Sequence, residues 1–263
     1  MRPVLERDKL YHEVLALRTQ GLSYNQIIKH IQEREGVRLG KSHLHDWITG
    51  KHRPLGSVTE FDSKPSPELA YLIGVAKGDA SLGVNRWNYR IRLRVIDKDF
   101  AQAFNYCASE VLHRGLHSLM WIPSRLQWSV EICSELLYLF LKQPLTRLRI
   151  TIEHCEACIA LFLRGFFDSE GSISGRSLSV SNTRLVTLTT VKRLLKRLDL
   201  AVTGPHLGSR GGRLVTIKGK EYKANRNLYT LRVRARSLAK FQELIGFSIA
   251  RKSRALAQAN TVP

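Results

Sequence analysis

The sequence predicts an α+β fold of two pseudo-symmetric αββαββα lobes, preceded by a small three-helix domain. Three observations predict it. A short apolar helical segment that ends at an acid and a serine occurs twice, with its acids, Asp79 and Glu170, 91 residues apart. Each copy is followed by a similar succession of strands and helices, and such repetition is typical of a pseudo-symmetric domain. Residues 8–53 carry a separate helical pattern.

The charge of the chain favours a polyanionic partner. Among its 263 residues, 42 are Lys or Arg and 22 are Asp or Glu, which gives a net charge of +20 and a pI near 10.3. Nucleic acid is the leading candidate, because Lys and Arg displace the counterions condensed on phosphates. A membrane partner is not expected, since no apolar segment approaches the length of a membrane span.

The cysteines and the N-terminus predict a reducing intracellular compartment. Four cysteines are few for a disulfide framework, and Met1–Leu10 is charged throughout, unlike a secretory signal. We therefore expect a cytoplasmic, DNA-associated protein, or an organellar one in a eukaryote. Cys155 and Cys158 form a C-x-x-C after His154, but no second ligand pair accompanies them, so core packing is favoured over a zinc site.

Residues 1–55 are predicted to form a helix-turn-helix module. The first helix covers residues 8–20, the second begins after Ser23 and ends near Gly36, and the third is capped by Ser42 and ends at Gly50. Two helices, a tight link and a compact third helix outline this motif.

The third helix of this module would present Lys41 and His43 to a DNA groove. A small helical bundle without DNA contact is the alternative. The basic segment 51–53 that follows the helix favours DNA binding.

Residues 56–66 are predicted to be a linker, rich in Pro, Gly and Ser. Ser66 followed by Pro67 is a typical helix start, so the first repeated helix is expected over 67–78. The two lobes are then assigned to 67–150 and 151–263.

The remaining elements follow from hydrophobic periodicity. In the first lobe we expect strands at 88–95, 118–122 and 126–132, with helices at 98–112 and 134–142. In the second lobe we expect a strand at 178–181, a helix at 183–198, a hairpin of 213–217 with 228–236, and a helix from 237. A short strand directly after each repeated helix is also expected.

The two repeated segments resemble the motif of the LAGLIDADG homing endonuclease family. In this nine-residue motif, the third and seventh positions are small for helix packing and the eighth is a metal-binding acid. These positions fall on Gly74, Gly78 and Asp79 in the first copy, and on Gly165, Ser169 and Glu170 in the second. Ala80 replaces the usual final glycine, and Lys77 occupies the sixth position. Neither departure changes the metal-binding position.

The resemblance implies a divalent-metal centre between the lobes. Asp79 and Glu170 would together hold two or three Mg²⁺ ions. The alternative is that both acids merely end buried helices. Because an acid at a helix C-terminus opposes the helix dipole, two acids in register favour a compensating cation.

Alternation along the strands predicts a DNA-binding sheet face. One side of two strands is apolar and the other carries arginines, and residues 204–254 include 13 Lys or Arg against 2 acids. A solvated sheet face is the alternative, but stacked like charges favour a polyanion. The predicted DNA contacts are Arg90, Arg92, Arg94, Arg232, Arg234 and Arg236, with Gln127 and Ser179 available for base edges.

Three further catalytic residues follow from the resemblance. The family often places a water-holding polar residue after the first long strand of each lobe, which implies Asp97 and Asn182. It also has a basic residue that stabilises the developing phosphorane charge, which implies Lys252, with Arg251 as a nearly equal alternative. Each could instead be a surface polar residue or a helix cap.

The resemblance implies an intron-encoded, monomeric, site-specific homing endonuclease. Such an enzyme would make a staggered double-strand break in a long asymmetric target. The alternative is a binding protein of the same fold: a maturase that binds its intron RNA, or a DNA-binding regulator.

Overall fold

The computed structural model describes residues 4–52, 54, 61–85, 88–217 and 220–261. The predicted positions 53, 55–60 and 218–219 lie outside these ranges, so the proposed linker is described only from residue 61. The helices are α1 Val4–Thr19, α2 Tyr24–Glu35, α3 Lys41–Ile48, α4 Pro67–Lys77, α5 Lys98–Leu112, α6 Glu135–Lys142, α7 Leu145–Ile152, α8 Glu156–Glu170, α9 Leu185–Arg197, α10 Leu238–Leu244 and α11 Ala250–Thr261. The strands are β1 Ser81–Asn85, β2 Asn88–Val95, β3 Met120–Ile122, β4 Gln127–Cys133, β5 Gly171–Ser174, β6 Ser177–Asn182, β7 Val202–Ser209, β8 Leu214–Ile217, β9 Lys220–Lys223 and β10 Leu228–Val233.

The N-terminal segment is helical and has its own small core. Helices α1–α3 bury Leu10, Val14, Leu17, Ile27, Ile31, Leu44 and Trp47. Helix α2 begins after Ser23 as expected, and the Ser23 N–H donates to the Gln26 side chain (2.8 Å). The predicted cap Ser42 is wrong. Helix α3 begins two residues earlier than a cap at Ser42 would allow, because Gly40 already takes the extended conformation of an N-cap.

The described residues from 67 onward form two lobes. The first runs α4-β1-β2-α5-β3-β4-α6, and its antiparallel sheet has the order β1-β2-β4-β3. The second has the order β5-β6-β10-β7, which is the same arrangement with β7 and β10 in the places of β3 and β4. The α+β fold with pseudo-symmetric lobes is therefore confirmed.

The predicted hairpin of 213–217 with 228–236 is wrong. Strand β8 pairs with β9, and β10 lies between β6 and β7. The missed strand β7 reads Val-Thr-Gly-Pro-His-Leu-Gly-Ser, and its two glycines and its proline hide the strand pattern. Helix α7, directly before α8, was also missed.

The core of the protein is built around the pair of repeated helices. Helix α4 begins where predicted, with the Ser66 hydroxyl accepting a hydrogen bond from the Leu69 N–H (3.1 Å) and Pro67 in the first turn. Seven of its residues in succession, Leu69–Val75, are buried, because α4 packs along α8 on one side and against its own lobe on the others. None of the helices in the described ranges is long and apolar enough to cross a membrane.

Two glycines set the distance between α4 and α8. A Cβ atom on Gly74 would overlap the Phe162 carbonyl oxygen and lie 2.9 Å from the Phe166 nitrogen. A Cβ on Gly165 would lie 2.5 Å from the Tyr71 carbonyl oxygen. Both obstacles are backbone atoms, which cannot rotate away. The helices therefore pack backbone to backbone only because neither position has a side chain.

We predict that Gly74→Ala lowers the free energy of unfolding by about 3 kcal/mol or more, because the helices must move apart. Gly83→Ala is the matched control, since a Cβ at Gly83 meets no atom within 4 Å. We expect it to change stability by less than about 1 kcal/mol. Urea unfolding followed by circular dichroism measures both. Equal costs for the two variants would contradict the close packing described above.

Candidate metal centre and nucleic-acid interface

The two motif acids lie side by side at the ends of the crossing helices. Asp79 follows α4 by two residues, and Glu170 is the last residue of α8. A Cβ on Gly78 would lie 2.7 Å from the Ser169 hydroxyl and 3.3 Å from the Glu170 Cγ, so the two chain segments touch immediately beside the acids. Both carboxylates thus converge where the C-terminal ends of α4 and α8 meet at the lobe interface.

The electrostatics of the pair show the cost of this convergence. Burial, and then the negative charge of Asp79, raise the pKa of Glu170 to about 7. Burial also raises the pKa of Asp79. The ammonium group of Lys252 opposes the pKa increase at both acids. Two carboxylates that repel each other in a partly desolvated site bind a divalent cation favourably.

Asn182 contacts Glu170 directly. Its Nδ2 donates to the Glu170 Oε1 (2.9 Å), and its Oδ1 accepts from the Arg184 N–H (2.8 Å). The amide is therefore held in one orientation and fixes the carboxylate, as the partners of metal ligands do.

Asp97 is not the counterpart of Asn182 in the first lobe. Ser81 pairs with Arg92 as Ser172 pairs with Ser179, so the strand register sets Val95 at the position equivalent to Asn182. Asp97 lies two residues further on, where its carboxylate forms a bidentate ion pair with Arg251 (2.7 and 2.8 Å). The expected equivalence of Asp97 and Asn182 is therefore wrong. Asn182 is the last residue of β6, whereas Asp97 lies two residues beyond the end of β2.

Lys252 is a buried residue that contacts the end of α8 directly. Its side chain is only 6% exposed, and its Nζ donates to the carbonyl oxygens of Phe167 (3.1 Å) and Asp168 (2.6 Å). Burial lowers its pKa, and Asp168 and Asp79 oppose that shift. Lys252 thereby supplies positive charge at the C-terminus of α8, part of the compensation that the sequence argument assigned to a metal ion.

Sequence reasoning missed a buried polar network beneath the acids. The Tyr71 hydroxyl donates to the Asp168 carboxylate (2.9 Å), which also accepts from the Ser248 N–H (3.0 Å). Burial raises the pKa of Asp168. The available signal was an acid inside an apolar helix, at the sixth position of the second motif. The network connects α4, α8 and the segment before α11.

Two clefts flank the paired acids at pseudo-equivalent places. One includes Gly78, Ala80 and Leu82, and the other includes Ser169, Gly171 and Ile173, which are the matching positions of the two lobes. The first cleft also contains Glu170, Asn182, Lys77, Lys142, Arg184 and Arg226. The second also contains Ser172, Arg251, Lys252 and Ala255. Each carries two or more basic side chains next to the acids.

The exposed face of the first sheet carries the predicted arginines. Ile91, Leu93 and Val95 are buried, whereas Arg90, Arg92 and Arg94 alternate with them on the other side. Arg92 donates to Glu131 (2.6 Å) and Arg90 lies 3.3 Å from the same carboxylate. Arg94 is exposed, and Gln127 lies on the neighbouring strand β4.

The second sheet carries fewer arginines on this face than predicted. Ser179 pairs with Arg232 in the second sheet, at the position where Arg92 pairs with Glu131 in the first sheet. Strand β10 ends at Val233, so Arg234 and Arg236 lie beyond it and line a separate cavity with Lys196 and Lys240. The alternation predicted through Arg236 is wrong because the chain turns there, with the Ser237 N–H donating to the Arg234 carbonyl (2.8 Å).

The two predicted contacts of the N-terminal segment are exposed. Lys41 is the first residue of α3, and the His43 ring packs edge-on against Trp47 at a centroid distance of 4.5 Å. Burial and the nearby His52 lower the pKa of His43. The two side chains therefore lie at the surface of the third helix.

The donor set at the lobe interface fits a hard divalent cation. Asp79 and Glu170 offer only carboxylate oxygens, which Mg²⁺ prefers, and Mg²⁺ typically takes one or two protein carboxylates together with water and substrate phosphate. Two carboxylates are therefore enough protein ligands for such an ion.

Two lobes that meet at a glycine-packed helix pair, with an acid at the end of each repeated motif, define the LAGLIDADG fold. The chain belongs to this family. A family model described as a LAGLIDADG-like domain matches residues 157–246. The uncharacterized protein MJ0398 of Methanocaldococcus jannaschii is 33% identical over 252 residues, which cover 93% of this chain and 90% of that protein.

Solved structures of I-DmoI, a homing endonuclease by name, share the fold. Its complex with DNA and Ca aligns with a TM-score of 0.52 and 18% identity, covering 73% of this chain and 97% of that chain. Its complex with DNA and Mn aligns with a TM-score of 0.51 and 20% identity, covering 68% and 96%. At such identities the likeness establishes the architecture of the two lobes.

We predict that the Glu170 carboxyl titrates near pH 7, well above its usual value of 4.5. Asp79→Asn should lower this pKa because it removes a neighbouring negative charge. Asn182→Ala should raise it because it removes a hydrogen bond to the ionised form. Carboxyl-detected NMR over pH 3–9 measures these midpoints. The control is Glu153, whose pKa is lowered by Arg193 and should not respond. A wild-type midpoint near 4.5 would refute this account of the centre.

Proposed function

We propose that the chain is a site-specific, metal-dependent DNA endonuclease of the homing type. The observation that supports it most is the convergence of Asp79 and Glu170 between two clefts at the lobe interface. Basic side chains line both clefts, and arginine-bearing sheet faces belong to both lobes. An acidic pair surrounded by so much positive charge suits cleavage of a polyanion.

Asp79 and Glu170 would hold Mg²⁺ ions. Bound there, the ions supply an activated water and stabilise the leaving oxygen of a phosphodiester. Asn182 would keep the Glu170 carboxylate in place, through the hydrogen bond described above. Lys252 would offset the negative charge of Asp79 and Glu170 and keep both acids closer to their ionised forms at neutral pH.

The two sheets would contact the DNA backbone and grooves. Arg94 and Arg232 are exposed on them, whereas Arg90 and Arg92 share the Glu131 carboxylate in the free protein. Phosphates would compete with Glu131 for these two guanidinium groups. Gln127 and Ser179 are available for base edges on the same faces.

The differences between the lobes support an asymmetric target and a monomeric enzyme. Arg92 faces Glu131 in one sheet, while Ser179 faces Arg232 at the equivalent place in the other. One chain therefore offers two unlike surfaces to two unlike half-sites. The helical N-terminal segment, with Lys41 and His43 exposed, would add DNA contacts outside the lobes.

We predict that Asp79→Asn and Glu170→Gln each abolish cleavage while DNA binding is retained. The substrate is obtained by selecting cleaved duplexes from a randomised library incubated with the full chain and Mg²⁺. Glu110→Gln is the matched control, because it removes one exposed negative charge from α5, outside the residues that line the two clefts. It should cut like the wild type, and chelation of divalent ions should stop all cutting.

Three outcomes distinguish the proposal from its alternatives. Cutting that survives both acid substitutions would overturn the assignment of the centre. A wild-type chain that yields no cleaved duplexes but retains a specific subset of the same library by binding would be a regulator. A chain that binds its intron RNA in preference to duplex DNA would be a maturase.

We predict that Arg94→Ala and Arg232→Ala each weaken duplex DNA binding and reduce the salt dependence of log K by about one per arginine. The physical reason is the loss of one phosphate contact and its counterion release. Arg197→Ala is the control, since Arg197 lies on α9 in an ion pair with Glu153 (3.1 Å). Fluorescence anisotropy across a salt series measures the slopes. Unchanged slopes in both sheet variants would place the DNA elsewhere.

A further inference from the structure

A cluster of soft side chains lies at the N-terminus of α8, at the end of the helix opposite to Glu170. The ligand atoms of His154, Cys155 and Cys158 all lie within 4.8 Å of one another, and the two sulfurs are 3.4 Å apart. The proposed nuclease chemistry uses none of these three residues.

The two cysteines are placed unequally. Cys155 is the N-cap of α8 and is half-buried, and its sulfur accepts a hydrogen bond from the Cys158 N–H (3.4 Å). Cys158 is fully buried in the core of the lobes. A reagent from solution therefore reaches the sulfur of Cys155 first, and the sulfur of Cys158 lies directly behind it.

We propose that Cys155 and Cys158 form a redox-active dithiol that small-molecule disulfides oxidise reversibly to an intramolecular disulfide. The Cys155 thiolate attacks one sulfur of the disulfide RSSR, forms a mixed disulfide and releases RS⁻. The Cys158 thiol then loses its proton to solvent, attacks the Cys155 sulfur and expels the second RS⁻. The protein loses two electrons and two protons, and RSSR becomes two RSH.

The local electrostatics match these two roles. The Cys158 backbone N–H and then a hydrogen bond with His154 lower the pKa of Cys155 to about 7, so much of this thiol is ionised at neutral pH. Burial, followed by the hydrogen bond with Cys155, raises the pKa of Cys158 to about 12. An accessible thiolate in front of a buried thiol is the arrangement of an attacking and a resolving cysteine.

The same three residues suit a structural zinc ion less well. Structural zinc sites use four protein ligands. Within the described ranges, no other His, Cys, Asp or Glu joins the cluster. Dithiol chemistry needs only the two sulfurs that already touch.

The test incubates the full chain in buffers of varied oxidised and reduced glutathione, followed by acid quench, alkylation and peptide mass spectrometry. We expect the 155–158 pair to become disulfide-linked and to be recovered as two thiols by excess dithiothreitol. We expect Cys158→Ser to trap glutathione on Cys155, and Cys155→Ser to leave Cys158 unmodified. Both variants should fold, because serine is a good N-cap at 155 and nearly isosteric at 158.

Cys133 is the internal control, since it is exposed and no other cysteine is paired with it in the described structure. It should form a mixed disulfide with glutathione that persists. The alkylation rate of Cys155 should reach half its maximum near pH 7, and His154→Ala should move this midpoint upward. Absence of the 155–158 disulfide at every glutathione ratio would overturn the proposal. So would Zn²⁺ alone binding at one equivalent and protecting both thiols from oxidised glutathione.

Discussion

The close approach of α4 and α8 is the constraint on which the rest of the structure depends. Gly74 and Gly165 let each helix backbone rest on the other, and the chain segments that follow are thereby brought into contact at Gly78 and Ser169. The carboxylates of Asp79 and Glu170 cannot avoid each other in this arrangement. The packing of the core and the position of the two acids therefore depend on the same helix spacing. A wider spacing would loosen the core and move the two carboxylates apart.

This arrangement gathers negative charge near the C-terminus of α8, and two sets of contacts compensate part of it. Lys252 gives both of its hydrogen bonds to the carbonyl end of α8, and the buried Asp168 beneath it is satisfied by Tyr71 and Ser248. Burial of Glu170, together with the remaining repulsion from Asp79, raises the pKa of Glu170 to about 7. Lys252 thus stabilises the C-terminus of α8, while the uncompensated negative charge stays on Asp79 and Glu170, the proposed ligands of the cation.

The sequence predicted the features that depend on local pattern. The bounds of α5, the cap of α4 at Ser66 and the alternation of β2 followed from periodicity and turn chemistry. Features that depend on distant partners did not. Strand β7, with its Gly and Pro, is defined by its pairing to β10, and the ion pair of Asp97 with Arg251 joins residues from different lobes. Strand register, which no local pattern fixes, also decided that Val95 rather than Asp97 matches Asn182.

The pairing of α4 with α8 also shapes how the chain is made. Helix α4 has the buried face of a core helix, but the partner that covers it is encoded about ninety residues later. At roughly 5–20 residues per second, a ribosome takes on the order of five to twenty seconds to supply that partner. During this interval the apolar side of α4 has no native surface to pack against, and Gly74 in its middle weakens the helix itself. The completion of folding is thus tied to translation of the second lobe, and the nascent first lobe is the stage at which aggregation or chaperone capture competes with folding.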